Sequence, residues 1–144
     1  MKKRKAYCEK CDKDVDYVLE ENPWKEIIRG EEITYNLLTA RCKHCGGVVC
    51  PSYVTKIDLI RANDAYKRKV NLLTTNEIIE IRRKLGLTQE GLARKMGCGL
   101  KTITRYENGA IQDRVFDNFI RCLSSLHDFE QNKEKQLVKT KKKL

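Results

Sequence analysis

Four of the seven cysteines stand in two Cys-x-x-Cys pairs, and this spacing indicates metal chemistry. Cys8 pairs with Cys11 and Cys42 pairs with Cys45, with thirty residues between the pairs. A Cys-x-x-Cys turn points two thiolates at one position, so two such turns can supply four ligands to a tetrahedral Zn²⁺ ion. Four thiolates fill the coordination sphere and leave no place for a reactive water. The sequence therefore predicts a structural zinc site.

Roles other than metal binding are favoured for the remaining histidine and cysteine candidates. His44 lies inside the second pair and could replace a thiolate, but an exposed turn histidine is the simpler interpretation. A redox role is disfavoured because neither pair begins a helix in a β-α-β unit. Cys50 and Cys122 are interpreted as packing residues. Cys98 is interpreted in the same way, although its Gly-Cys-Gly context also allows an exposed, reactive thiol.

The segment between the cysteine pairs has the pattern of a small antiparallel sheet. Val15–Glu21 and Glu32–Ala40 are rich in β-branched and aromatic residues, which is typical of strands. Asn22-Pro23 and Arg29-Gly30 are predicted to interrupt the strands. A module of about fifty residues has a small core. A bound metal would therefore contribute much of its folding free energy.

Helical periodicity follows Pro51, first in a connecting helix and then in four helices. Thr74 and Glu77 have the spacing of a capping box, Thr88 can cap the next helix, and Gly97 can end it. Two short helices joined by Gly97-Cys98-Gly99 have the helix-turn-helix arrangement, whose second helix enters the major groove of DNA.

The helix that follows this turn carries polar side chains suited to DNA. Its apolar positions would pack inside the domain and leave Lys101, Thr102, Thr104 and Arg105 facing outward. Lysine and arginine can donate to guanine O6 and N7, and threonine can contact bases or thymine methyl groups. Gln89, at a helix N-terminus, is placed for a phosphate contact. The alternative left open is a helical bundle without a role in DNA binding.

Composition and charge restrict the possible functions. The formal net charge is +10, but residues 1–5 carry +4 and residues 133–144 carry +5, so the 127 residues between them carry only +1. These basic ends could contact phosphates or could simply be solvated. We find no apolar run of membrane-spanning length and no signal-peptide pattern at the start. With its cysteine usage, this favours a cytoplasmic protein without a membrane partner.

The histidines and the paired cysteines also disfavour a catalytic function. Neither histidine stands in a recognisable base–nucleophile arrangement, and the metal site would be closed. We therefore expect a protein that is not an enzyme and has no small-molecule substrate.

An acidic stretch precedes the second cysteine pair. Residues 12–32 hold eight acidic and three basic side chains, a local charge of −5. Such a surface would complement a basic protein partner, but it could equally be a solvated hairpin face. Trp24, in the same stretch, is interpreted either as an exposed anchor for a partner or as a core residue.

The order of these parts resembles the MqsA antitoxin family, in which a YgiT-type zinc finger precedes an Xre-like helix-turn-helix domain. The resemblance rests on Cys8-x-x-Cys11, Cys42-x-x-Cys45, Leu87-Thr88-Gln89 and the segment Gly97–Gly109. It covers residues 7–126. The strand and helix patterns themselves predict an α+β fold, with a small antiparallel β module and a separate all-α domain. The predicted organisation is a basic tail (1–6), a four-cysteine β module (7–51), a linking helix and hinge (52–73), a helix-turn-helix domain (74–126) and a disordered Lys-rich tail (127–144).

The resemblance implies a dimeric regulator with two partners. In that family the zinc is structural, the N-terminal module docks a toxin that is commonly a ribonuclease, and the helical domain forms a homodimer that represses its operon at a palindromic DNA site. The family's base-reading arginine matches Arg105. Its base-reading asparagine is replaced by Lys101, and its proline-containing segment is replaced by 110–114 without proline. A stand-alone regulator without a toxin partner is the alternative.

Overall fold

The computed structural model describes residues 4–143, and the predicted α+β fold is confirmed. The chain divides into two compact units between Val70 and Asn71. The first contains β1 (Lys5–Cys8), β2 (Lys13–Ile28), β3 (Glu31–Cys42), β4 (Val48–Val49) and α1 (Ser52–Lys69). The second contains α2 (Thr75–Lys84), α3 (Gln89–Met96), α4 (Leu100–Glu107) and α5 (Arg114–Lys142).

The sheet of the first unit is antiparallel, with the strand order β1-β2-β3-β4. The long hairpin of β2 and β3 turns at Arg29 and Gly30, which both have positive φ angles of 49° and 84°. The predicted interruption at Asn22-Pro23 was wrong, because β2 continues through both residues. Pro23 is tolerated because β1 pairs with β2 only as far as Asp16, which makes this part of β2 an edge strand among the described residues.

The other edge of the hairpin is covered by α1. Asp58 accepts a hydrogen bond from the Leu38 amide at 2.8 Å, and Arg61 donates to the Asn36 carbonyl at 2.9 Å. Lys69 donates in the same way to the Glu32 carbonyl. The helix predicted as a linker is therefore part of the first unit, where its side chains satisfy backbone groups that would otherwise form an open sheet edge.

The second unit packs its helices around four aliphatic side chains that are fully buried. Ile78, Leu92, Ile103 and Ile120 come from four different helices, and each is 0% exposed. The predicted caps are confirmed, because Thr74 and Glu77 form a capping box and the Thr88 hydroxyl accepts from the Gly91 amide. Gly97 ends α3 in the left-handed conformation at φ 68°.

A buried carboxylate, Asp117, ties the start of this unit to its last helix. It accepts from the Leu73 amide at 2.8 Å and from the Gln112 side chain at 3.0 Å. Arg121 donates to its other oxygen at 2.7 Å. Gln112 also donates to the Leu73 carbonyl, so the segment without proline before α5 is held by polar contacts.

The last helix is longer than the sequence indicates. We expect residues 127–144 to be disordered, but α5 continues to Lys142. Its final turns lack glycine and proline and are rich in lysine, glutamate and glutamine, which are good helix formers. Among the described residues, no helix is both long enough and apolar enough to cross a membrane.

Replacing Asp117 should destabilise the second unit and change its response to acid. Burial raises the pKa of Asp117, but the Leu73 amide and the Arg121 guanidinium outweigh it and hold this pKa below its ordinary value. The ionised carboxylate therefore adds stability above pH of about 4, and this contribution disappears as the pH falls through the lowered pKa. Asp117→Asn should remove about 1–3 kcal/mol at neutral pH and flatten the acid dependence.

Hydrogen exchange into α2 and α5 of the intact chain would measure this effect between pH 3 and 7. Asp128→Asn is the matched control, because that carboxylate bonds Lys84 but has 57% of its side chain exposed. Equal protection in the two variants would contradict the assigned role of Asp117.

Candidate metal centre and nucleic-acid interface

The four paired cysteines come together at one point in the first unit. Their Sγ atoms all lie within 4.8 Å of one another. Cys8 and Cys45 are 3.5 Å apart at sulfur, and Cys11 and Cys42 are 3.9 Å apart. Ligands at 2.3 Å in a tetrahedron stand about 3.8 Å from each other, so four thiolates at these distances fit a tetrahedral metal ion.

Strand ends and tight turns place these sulfur atoms. Cys8 ends β1 and Cys42 ends β3, and both are buried in the core of this unit. Backbone amides face the second pair, because the His44 amide donates to Cys42 Sγ at 3.3 Å and the Gly47 amide donates to Cys45 Sγ at 3.4 Å. These donors orient the ligands and stabilise negative charge on sulfur.

The same contacts shift the acidity of the thiols in opposite directions. The backbone amide of Cys45 is the main cause that lowers the pKa of Cys42 to about 7. The Cys45 side chain is the main cause that raises the pKa of Cys11 to about 12. The thiolate is therefore favoured at Cys42 and opposed at Cys11. Zn²⁺ would remove this opposition, because a coordinated thiol loses its proton.

The remaining candidate ligands lie outside this cluster. His44 is exposed, and its contact with the cluster is made through the backbone. Cys50 and Cys122 are exposed, so their interpretation as packing residues was wrong. Cys98 is half-buried, and burial raises the pKa of its thiol, which disfavours reactivity.

In the second unit, α3 and α4 are joined by the tight turn Gly97–Gly99. The Ile103 side chain of α4 packs in the core of this unit. Lys101 and Arg105 are both exposed on α4 and are separated by one helical turn, so they share a face. This face presents two cations that can reach base edges or phosphates.

A buried ion pair that sequence reasoning missed holds α4 in place. Arg82 on α2 donates through two nitrogens to Glu107 on α4, with one contact at 3.0 Å. It also donates to the Leu87 carbonyl. Gln89 donates to Glu107 at 2.8 Å and accepts from Thr104 at 3.3 Å. The spacing of Arg82 and Glu107 carries no local signal, because 25 residues separate them.

The five predicted DNA-contacting residues thus occupy three settings. Lys101 and Arg105 are exposed, whereas Gln89 and Thr104 are half-buried and bonded to each other. Thr102 faces another side of α4, where it lines an open groove. Thr102 and Thr104 therefore flank the face of Lys101 and Arg105 on its two sides, because residues of an α-helix are about 100° apart. Thr104 bonds Gln89 on one flank, and Thr102 lines the groove on the other.

Comparison with protein families gives a match over most of the chain. A family model described as the antitoxin component of a bacterial toxin-antitoxin system, MqsA, matches residues 6–127. No curated protein and no solved structure matches the chain. The matched range includes the four clustered cysteines and the whole α3–turn–α4 segment. The chain belongs to the MqsA antitoxin family.

Proposed function

We propose that this chain is a DNA-binding antitoxin that represses its own operon as a homodimer and neutralises a ribonuclease-type toxin through a zinc-bound first unit. It acts by binding and not by catalysis. The observation that carries the DNA-binding part is the exposure of Lys101 and Arg105 on one face of α4, while the opposite face of this short helix is anchored by Ile103 and Glu107.

The DNA contacts differ in kind along this surface. Arg105 can donate two hydrogen bonds to one guanine, and Lys101 can donate to guanine as a flexible point charge. Gln89, at the first turn of α3, has its amide committed to Glu107 and Thr104. We infer that Gln89 contacts a phosphate mainly through the α3 N-terminus and that Thr104 supports its position. Thr102, on the flank of α4 that lines the groove, is a further proposed DNA contact.

Structural Zn²⁺ is the ion that the four thiolates fit best. Thiolate ligands at tetrahedral spacing select Zn²⁺ or iron–sulfur chemistry, and two Cys-x-x-Cys turns around one point supply a single four-coordinate ion. Cys8 and Cys42 belong to the small core beside Val15 and Ala40. Metal loss would therefore expose core residues and not merely free a surface loop.

The hairpin of β2 and β3 is the proposed toxin-docking surface. β2 beyond Asp16 has an open edge in the described part of the chain, and the stretch 12–32 carries a charge of −5. Trp24 is 50% exposed on one face of β2, and Ile27 is 72% exposed on the opposite face, because side chains alternate along a strand. A ribonuclease needs a basic surface for RNA, so an acidic edge with Trp24 as its apolar anchor is complementary to it.

Copurification from the native host tests the toxin assignment as a whole. The expected result is a complex with a small basic protein that cleaves RNA when released. Recovery of the chain with operator DNA but without any such protein would favour the stand-alone regulator.

Arg105→Ala should weaken operator binding by about 1–3 kcal/mol and relax the preference at one base pair. The reason is that a bidentate contact with one base is lost while α4 remains anchored. Binding to a library of operator variants measures both effects. Arg68→Ala, which removes an exposed arginine from α1, is the matched control and should keep the base preference. An Arg105→Ala profile identical to that of the control would remove Arg105 from the base-reading residues.

Cys8→Ser should abolish binding of one zinc equivalent and unfold residues 4–70, while α2 to α5 retain their structure. The physical reason is that metal binding supplies folding free energy to a unit with a small core. Elemental analysis and residue-resolved NMR of the intact chain measure the two effects. Cys50→Ser, which changes an exposed cysteine outside the cluster, should do neither. A folded first unit after complete chelation would contradict a structural role for zinc.

Trp24→Ala should weaken toxin binding by at least tenfold, because hot-spot aromatics at interfaces are worth about 2 kcal/mol or more. Operator binding and zinc content should stay the same. Titration calorimetry with the copurified toxin provides the measurement. Leu59→Ala is the control, because Leu59 is a similarly exposed apolar residue on α1. Equal affinities for the two variants would place the toxin on another surface.

A further inference from the structure

The last helix continues well past the helices against which it packs. Lys84, at the end of α2, donates to Ser124 at 2.5 Å and to Asp128 at 3.1 Å on α5. From there α5 continues to Lys142, which adds about 20 Å of helix. Residues 129–142 are all exposed, and the family match ends before them at residue 127. This extension of α5 is therefore a feature of the chain that the family match does not explain.

A row of lysines runs along one side of the extension. Lys135, Lys139 and Lys142 are separated by four and three residues, so they lie on one face of the helix, and we call them the lysine row. Lys135 follows Asp128 by seven residues, so the row continues the side of α5 that contacts the end of α2. The ion pairs found among residues 4–143 include none of the three lysines. Their charges are therefore available to an outside partner.

Acidic side chains lie away from the lysine row. Glu130 and Glu134 are four residues apart on another side of the extension, because each residue turns an α-helix by about 100°. Asp128, which precedes the row, is already paired with Lys84 at 3.1 Å. One side of the extension thus carries positive charge alone, which is the pattern that a series of phosphates attracts.

The extension leaves the second unit at the end where a phosphate contact is proposed. α2 and α5 run in the same direction, because the Leu73 amide before α2 bonds Asp117 near the start of α5, whereas Lys84 at the end of α2 bonds Asp128. Gln89, the first residue of α3, follows Lys84 by only five residues. The lysine row therefore continues from the same end of the unit as the α3 N-terminus.

We propose that the lysine row binds the phosphate backbone of duplex DNA beside the segment that α4 contacts. This proposal rests on the proposed function as a DNA-binding protein and adds contacts that carry no base preference. The row is about 10 Å long, and duplex DNA carries one charge per roughly 1.7 Å of its axis, so the row can face several phosphates. The sequence after Phe129 contains no aromatic residue. Single-strand sites depend on aromatic stacking, so a duplex is the favoured partner.

The double variant Lys135→Gln/Lys139→Gln of the full-length chain tests the proposal. The probes are the DNA fragment upstream of the chain's own gene and a mixed-sequence duplex of equal length. Each lost phosphate contact lowers the slope of log affinity against log salt by about 0.9, so the variant should lose about 2 in slope per bound chain. Its affinity for both duplexes should fall by on the order of tenfold or more near about 0.1 M salt. Fluorescence anisotropy over a salt series measures both effects.

The double variant Lys133→Gln/Lys141→Gln is the matched control. It removes the same charge from the same extension, but from the side that also carries Glu130 and Glu134, so it should keep nearly the full slope. Glutamine is as good a helix former as lysine, and circular dichroism checks that α5 keeps its helix content. Equal slopes for the two double variants would overturn the proposal, because the position of the lysines on the helix would then be irrelevant.

The outcomes separate the lysine row from the proposed function. If the chain prefers its upstream fragment and Lys135→Gln/Lys139→Gln keeps the full slope, the lysine row is refuted while the proposed function stands. If the slope depends on the row with both duplexes and the upstream fragment is not preferred, the row is supported and the proposed function is contradicted. Tighter row-dependent binding to a single-stranded RNA of the same length would overturn the proposal, because the partner would then be RNA.

Discussion

The ion pair between Arg82 and Glu107 is the interaction on which the helix-turn-helix depends. α4 has only eight residues, so it is too short to be stable alone and needs tertiary contacts. Glu107 has 5% of its side chain exposed, and a buried carboxylate requires a charged, hydrogen-bonded partner. Arg82 supplies that partner from α2, and Gln89 adds a contact from α3. One carboxylate thereby joins three helices and sets where Arg105 points.

The first unit is also too small to be stable without specific contacts, but its contacts are of a different kind. Its sheet is small, and α1 stabilises one edge through polar bonds to backbone groups. The four cysteines close the end of the sheet where β1 and β3 finish. Metal coordination requires thiolates, and the pKa of Cys11 is raised by the neighbouring Cys45 side chain, so a bound cation would supply the free energy that this cluster needs to ionise fully. Metal binding at the four cysteines and folding of this unit would therefore be energetically coupled.

Short-range patterns allowed much of this structure to be predicted from the sequence. The cap at Thr74, the end of α3 at Gly97 and the cysteine pairs all depend on residues within a few positions of each other. The continuous β2 at Pro23 could not be predicted, because the reason is that β1 stops at Asp16 and leaves an edge. The ion pair of Arg82 with Glu107 could not be predicted either, because the two residues are distant in sequence. The extent of α5 was missed because lysine-rich composition indicates solvent exposure but does not exclude helix.

The two units respond to different conditions because different contacts hold them. Each has its own buried cluster, one around Val15 and Ala40 and one around Ile78 and Ile103. In the proposed zinc-bound state, chelation would act on the thiolate site and remove nothing from the second cluster. Mild acid would also act first on the thiolates, because protons compete with a bound metal, whereas Asp117 keeps its charge until its lowered pKa is reached. Loss of metal should therefore abolish functions of the hairpin under conditions where α4 remains anchored by Glu107.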